Sequence, residues 1–187
     1  MQTNLVTSKT SKLVMTAMMM CMIMVAIFLF RIPIPFTQGY VNLSDAIIFI
    51  GILVLGWKYG MIAAALGSML GDIIGGFAMW APWTLGIKAG MAIIAGTLIC
   101  GLCKKEGISD RTFVVLEILS MVAGGLFMVF GYYIGEGVMY GSWAVAALGV
   151  PWNICQFSVG IALCLVLTEP LKKTSFRKFF TYKKRSH

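Results

Sequence analysis

Uncharged apolar runs of membrane-crossing length recur along this chain, and no other feature restricts its fold as strongly. The first of them, 13–30, contains no charged residue. A hydrocarbon core about 30 Å thick takes about 20 helical residues to cross. Within it every backbone N–H and C=O must find a partner inside the protein, which leaves helices or a closed barrel. Charged residues are 12% of the chain and hydrophobic residues 59%, against about 25% charged in an average soluble domain. The mean hydropathy is +0.90. An all-α membrane protein follows, with six transmembrane helices in 187 residues and almost nothing left over for a soluble domain. The run 13–30 is too long for a signal-peptide core, and Arg-Ile-Pro-Ile-Pro at 31–35 is a poor cleavage site, so it is expected to stay as the first helix.

Breakers and caps set the expected spans, which together form one integral membrane domain over 1–187. Helix one covers about 12–30 and is stopped by Arg31, Pro33 and Pro35. Ser44 is the expected N-cap of a short second helix, 44–57, with Asp45 in its first turn, where a carboxylate suits the helix dipole. A turn at 58–60 leads into 61–77, and Gly75, Gly76 and Pro82 mark the next break. Pro82 opens 82–102, where its missing N–H does no harm. A polar loop at 104–110 precedes 111–134, a glycine-dotted loop is expected over 135–149, and the last span covers 151–169. A basic tail, 172–187, ends the chain.

Loop charge orients these spans. Lys9, Lys12, Lys58, Lys104, Lys105, Arg111 and the tail from Lys172 to Arg185 all fall on one side, whereas the other side receives Arg31 alone. Positive charge marks the cytoplasmic side, so a multi-pass protein of the cell membrane with both termini cytoplasmic is expected. The net charge of +8 is a topology signal that touches anionic lipid, not a nucleic-acid footprint.

Familiar catalytic patterns are missing. The single histidine is His187 at the C-terminus, and no phosphate-binding P-loop occurs, so neither a histidine-based site nor ATP binding by this chain is expected. Cys100 and Cys103 form one CxxC with no second pair, short of the four ligands a metal wants. No cofactor is implied. Asp45 and Asp72 could form an intramembrane aspartyl dyad, but Met-Leu-Gly precedes Asp72 and Asp45 lies at a helix start, so an enzyme is the weaker reading.

A polar and aromatic set instead gathers on the outer side. Asn42 and Asp45 open the second helix, Asp72 nears the outer end of the third, and Trp80 and Trp83 occupy the turn after it. Lys88 lies about a turn and a half into the fourth, Tyr132 and Glu136 close the fifth, and Asn153 and Gln156 share a face at the start of the sixth. Singly, the aromatics belong to interfacial belts and Asp72 with Lys88 could be an ordinary ion pair. Together they describe a pocket for a flat, polar small molecule. Asp72 and Lys88 are expected either to pair or to meet the ligand jointly, since an isolated charge there is costly.

Gly-Tyr-Val-Asn-Leu-Ser-Asp at 39–45, Gly-Ser-Met-Leu-Gly-Asp at 67–72, Trp-Ala-Pro-Trp-Thr at 80–84 and Lys-Ala-Gly at 88–90 give the chain a family likeness. In their order and spacing it resembles the substrate-specific S components of energy-coupling factor (ECF) vitamin transporters, and length, six spans and cytoplasmic termini also fit. The resemblance implies a high-affinity binder of a water-soluble vitamin or precursor with no energy source of its own. It would work with a transmembrane coupling subunit and two ATPases, topple in the bilayer to deliver its ligand, and cover its pocket with the first, third and fifth loops. A small-xxx-small pattern on helix one would meet the coupling subunit. Its best match here is Ala17 with Cys21, flanked by adaptable methionines, although the same pair could pack inside the bundle. The aromatic and amide character suits pyridoxine or hydroxymethylpyrimidine, with riboflavin and pantothenate open. The rival from another class is a self-contained small-molecule carrier or channel.

Overall fold

In the computed structural model, described over residues 8–35, 39–103, 109–175 and 179–182, the chain forms a helical bundle. The order is α1 (Lys9–Leu29), β1 (Ile32–Pro33), β2 (Tyr40–Val41), α2 (Ser44–Ile74), α3 (Ala81–Leu102), α4 (Asp110–Tyr140) and α5 (Trp143–Lys172). Five of these helices are long and apolar enough to cross a membrane. Lys104, Lys105, Arg185 and His187, assigned above to loop and tail, lie outside the described residues.

The difference between five helices and six expected spans comes from α2. Its backbone leaves helical geometry at Gly56, with φ 79° and ψ 170°, a conformation that glycine adopts without strain. Beyond it the chain turns back on itself: a Cβ on Gly60 would sit 2.9 Å from the Ile52 Cα. In an uninterrupted helix eight residues would advance about 12 Å. The element therefore consists of two antiparallel arms, 44–55 and 57–74, and the bundle has six helical arms. The reversal falls at Gly56, not in the expected turn at 58–60.

The first arm spans about 18 Å, too short for a full crossing, so its end stops inside the bundle. Helix ends leave orphan carbonyls, and here the chain's own C-terminal segment meets them. Leu53 O accepts from the N–H groups of Thr181 and Tyr182 at 3.0 and 3.3 Å, and Thr181 Oγ1 donates to Val54 O. The Tyr182 hydroxyl accepts the Trp57 N–H at 2.8 Å, so both sides of the break are served. Phe180 and Tyr182 are buried. Burial pushes the Tyr182 phenol up to about 12, which keeps it neutral.

The expected loop over 135–149 is a second correction. α4 continues to Tyr140, Gly141 turns the chain in the left-handed region, and Ser142 caps α5 by accepting the Val145 N–H. Two of the glycines that suggested a loop are packing residues. Gly135 receives the Trp83 ring and Gly137 the Trp143 ring, the use of small residues common between membrane helices. Pro151 and Pro170 lie within α5, which runs past the expected end at 169 to Lys172.

α2 is the hub, packed against α1, α3 and α5, while α3, α4 and α5 follow one another around it. Phe49, Ile52, Leu53, Met91, Ala95, Met121 and Met128 build the core. α1 is the least embedded helix: Leu13, Val14, Met18, Met22, Val25 and Leu29 are exposed along it. Ala17 and Cys21 lie on that outer side too, not inside the bundle.

Candidate functional site

One end of the bundle holds a cavity of about 480 Å³, part of it open to solvent. Every helix supplies part of its wall, from Ile27 on α1 to Asn153 and Gln156 on α5.

A buried ion pair forms its floor. Lys88 of α3 donates to Asp45 of α2 and also contacts the Met128 sulfur, and Lys88 and Asp45 are both almost wholly buried. Gln156 of α5 donates to the other Asp45 oxygen at 2.8 Å, so that carboxylate is held by two helices. The approach is close because Gly160 has no side chain: a Cβ there would lie 2.8 Å from the Asp45 Cβ. The Gln156 amide oxygen accepts the Asn42 N–H, and the Asn42 side chain accepts the Ser44 N–H, both at 2.9 Å. Asn42 thus supplies the helix-start contact expected of Ser44. The Ser44 side chain instead lies buried in the cavity wall without a hydrogen-bond partner.

The roof comes from the segment between α1 and α2, which folds into the β1–β2 hairpin. Arg31 fastens it. Its guanidinium lies 4.6 Å from the Tyr40 ring centre and 4.9 Å from that of Phe77, and it donates to Gly75 O at 3.1 Å. Tyr40 donates its hydroxyl to Asp72. Burial, with the neighbouring Asp72 charge, raises the Tyr40 phenol well above its usual range, so the proton stays on the donor.

The aromatic wall is Trp80 and Tyr132, ring centres 6.1 Å apart in an edge-on arrangement, with Tyr140 on the far side of Trp80. The Lys88 ammonium lies 5.7 Å from the Tyr132 ring centre, within cation–π range. Tyr132 also reaches Thr84 at 3.4 Å.

Of the residues singled out from the sequence, Asn42, Asp72, Trp80, Lys88, Tyr132, Glu136, Asn153 and Gln156 line this cavity. Asp45 lies behind the wall as partner of Lys88 and Gln156, and Trp83 packs on Gly135 instead of facing the cavity. Of the two expectations for Asp72 and Lys88, mutual pairing or joint contact with a ligand, the pairing does not form: Lys88 is taken by Asp45, and Asp72 by Tyr40. Sequence reasoning missed Tyr40, Ser68 and Thr84 in the wall. The outer-loop aromatic at Tyr40 was a usable signal. Nothing in a membrane helix marks one serine or threonine from another.

Seven buried side-chain atoms lack a hydrogen-bond partner among the described residues, and five belong to the cavity wall: Ser44 Oγ, Ser68 Oγ, Asp72 Oδ2, Trp80 Nε1 and Glu136 Oε2. Buried polar atoms are ordinarily paired. Their concentration in one cavity leaves donors and acceptors there for water or a bound molecule to meet. No group of three or more metal-ligating side chains occurs among the described residues.

Over residues 7–173 the sequence matches the family described as "ECF-type riboflavin transporter, S component". It is 29% identical over 153 residues to the Thiamine precursor transporter HmpT of Lactococcus lactis subsp. cremoris, covering 81% of this chain and 82% of the relative. It is 37% identical over 117 residues to a protein of Pyrococcus woesei described as "Uncharacterized protein in gap 3'region", covering 63% of this chain and 72% of that one. Among solved structures, one described as "Structure and mechanism of the S component of a bacterial ECF transporter" superposes with a TM-score of 0.66. The overlap covers 89% of this chain and 98% of that one, at 18% identity, a likeness of fold.

Proposed function

Because the chain belongs to the ECF-type riboflavin transporter S-component family, we propose that its cavity is the high-affinity site for a vitamin precursor. The leading ligands are hydroxymethylpyrimidine and pyridoxine. The chain is a transporter component and not an enzyme, and it is a multi-pass membrane protein. The observation that carries the ligand reading is the cluster of unpaired polar atoms on the cavity wall. They share the cavity wall with Trp80 and Tyr132, and this mix of polar and aromatic groups suits a small heterocycle. The likeness to a thiamine precursor transporter supports the pyrimidine, and the family description keeps riboflavin in the test set.

In this reading Asn42, Asp72, Trp80, Lys88, Tyr132, Glu136, Asn153 and Gln156 contact the ligand, while Asp45 fixes Lys88 and Gln156 and Trp83 steadies α4 behind the wall. A transmembrane coupling subunit and two ATPases supply the energy. The exposed face of α1 with Ala17 and Cys21 docks on the coupling subunit, since small residues permit close helix approach. Both termini are cytoplasmic and the cavity opens outward.

Mass spectrometry of the molecule that copurifies with the protein tests the ligand. Vesicles containing this chain alone should bind that molecule without concentrating it, and uptake should require the ATPases. Concentrative uptake by the chain alone would favour a self-contained carrier and overturn the S-component mechanism. For orientation, cysteines placed at 31–35 should be labelled from outside intact cells. Those at 104–110 should be reached only from inside.

A further inference from the structure

The cavity wall carries more acid than base. Asp72 and Glu136 line it and Asp45 stands behind it, whereas Lys88 is the one ammonium in the lining and is already spent on Asp45. Asp72 has the Tyr40 hydroxyl on one oxygen and Arg31 behind that ring. Glu136 has no such compensation. It is 2% exposed, no ammonium or guanidinium among the described residues lies within ion-pair distance of it, and its Oε2 has no hydrogen-bond partner. Its carboxylate lies against Gly149 of α5, where a Cβ would come within 2.5 Å of Oε2, so the backbone of the neighbouring helix fixes it in place. A buried carboxyl group left in this state holds its proton unless something supplies donors and positive charge.

We propose that Glu136 is the specificity-determining residue and that the ligand is a basic nitrogen heterocycle, with an amino group beside a protonatable ring nitrogen. The inference rests on the reading of this cavity as the substrate site. In such a ligand the ring nitrogen takes one proton from water, and the edge becomes an amidinium with two parallel N–H donors. These match the two oxygens of one carboxylate, as in other bidentate charge-assisted pairs. The ring then packs against the aromatic wall of Trp80 and Tyr132, since aromatic faces favour a cation. An oxo group in place of the amino group turns a carbonyl lone pair toward Glu136 and cannot carry the proton. A ligand bearing a carboxylate or phosphate at this edge is repelled. Between the two leading ligands, the amino-substituted pyrimidine is selected over pyridoxine, which has no amidine edge.

Calorimetric titration of the purified full-length protein decides it, with four probes: hydroxymethylpyrimidine in its amino form, its oxo counterpart, pyridoxine and riboflavin. The amino form should bind about 100-fold more tightly than the oxo form, the scale of two hydrogen bonds to a charged group. Glu136→Gln should erase most of that preference, the oxo form gaining an amide donor to its carbonyl, without lowering the melting temperature. Equal binding of amino and oxo forms, or a preference that survives Glu136→Gln, overturns the assignment. So does tighter binding of pyridoxine or riboflavin, and in these cases the S-component reading stands. Binding of none of the four, with no copurifying molecule, overturns both. Should Glu136→Gln fail to fold, the four-probe comparison on the unmodified protein still decides.

Discussion

Among the described residues, two charge clusters are built around buried carboxylates, and they differ in how completely their polar groups are satisfied. Glu117 and Glu136 sit 19 positions apart on α4, about 28 Å along its axis. At the Glu117 end, Lys172 donates to both Glu117 oxygens and to Glu169, each at 2.8 Å. An ammonium has three donors, and the carboxylates at hand engage it on all sides. At the Glu136 end, Lys88 and Gln156 saturate Asp45, yet Glu136, Asp72, Ser44 and Ser68 each keep an atom without a partner. Charge content alone does not separate a structural cluster from a binding one. The state of the leftover donors and acceptors does: a closed network ties α4 to α5, and in the proposed reading the open one awaits a ligand.

The largest effect should come from breaking the closed part of the open end. Lys88→Met leaves Asp45 buried and uncompensated, and a loss of about 3–5 kcal/mol is expected. It should appear as a steep fall in melting temperature in detergent. Adding Asp45→Asn should recover much of it, whereas adding Asp72→Asn should not, because Asp72 is not the partner.

Glu117→Gln, at the saturated end, should cost about 1–3 kcal/mol of stability and leave ligand affinity unaltered. A change in affinity from this distant site would break the division between the two clusters. Tyr40→Phe should touch both properties. It removes the proton donor to buried Asp72 from the roof, so ligand affinity should fall about tenfold, equivalent to 1.4 kcal/mol, and the melting temperature should fall with it. The smallest effect belongs to the C-terminal segment. Thr181→Val deletes the hydroxyl that serves Val54 O and should cost about 1 kcal/mol, with binding unchanged. A loss of binding there would link the Gly56 reversal to the cavity at the other end.

Much of the site was legible because its residue types are expensive in a membrane. Asp72, Lys88 and Glu136 stand out in apolar helices for that reason, and the structure puts all three in one cavity wall. Glycine was the less readable signal. In 135–149 it suggested a loop but serves helix packing, and at Gly56, between two apolar stretches, it reverses the chain. Local sequence does not distinguish these uses, since the difference lies in whether another helix approaches.

The sequence by itself determined the solvent, the helical class and the inventory of buried charge, because apolar run length and the cost of ionisable groups in hydrocarbon act locally. It also carried the match to the family over residues 7–173. Tertiary structure decided which charge meets which. Asp45 and Asp72 are both reachable by sequence from Lys88, but the reversal at Gly56 and the close approach at Gly160 set Asp45 against Lys88 and Gln156. Asp72 is left to Tyr40 and Glu136 is left open. Pairing in a low-dielectric interior depends on ångström-scale approach between helices distant in sequence, and only the packed bundle fixes those distances.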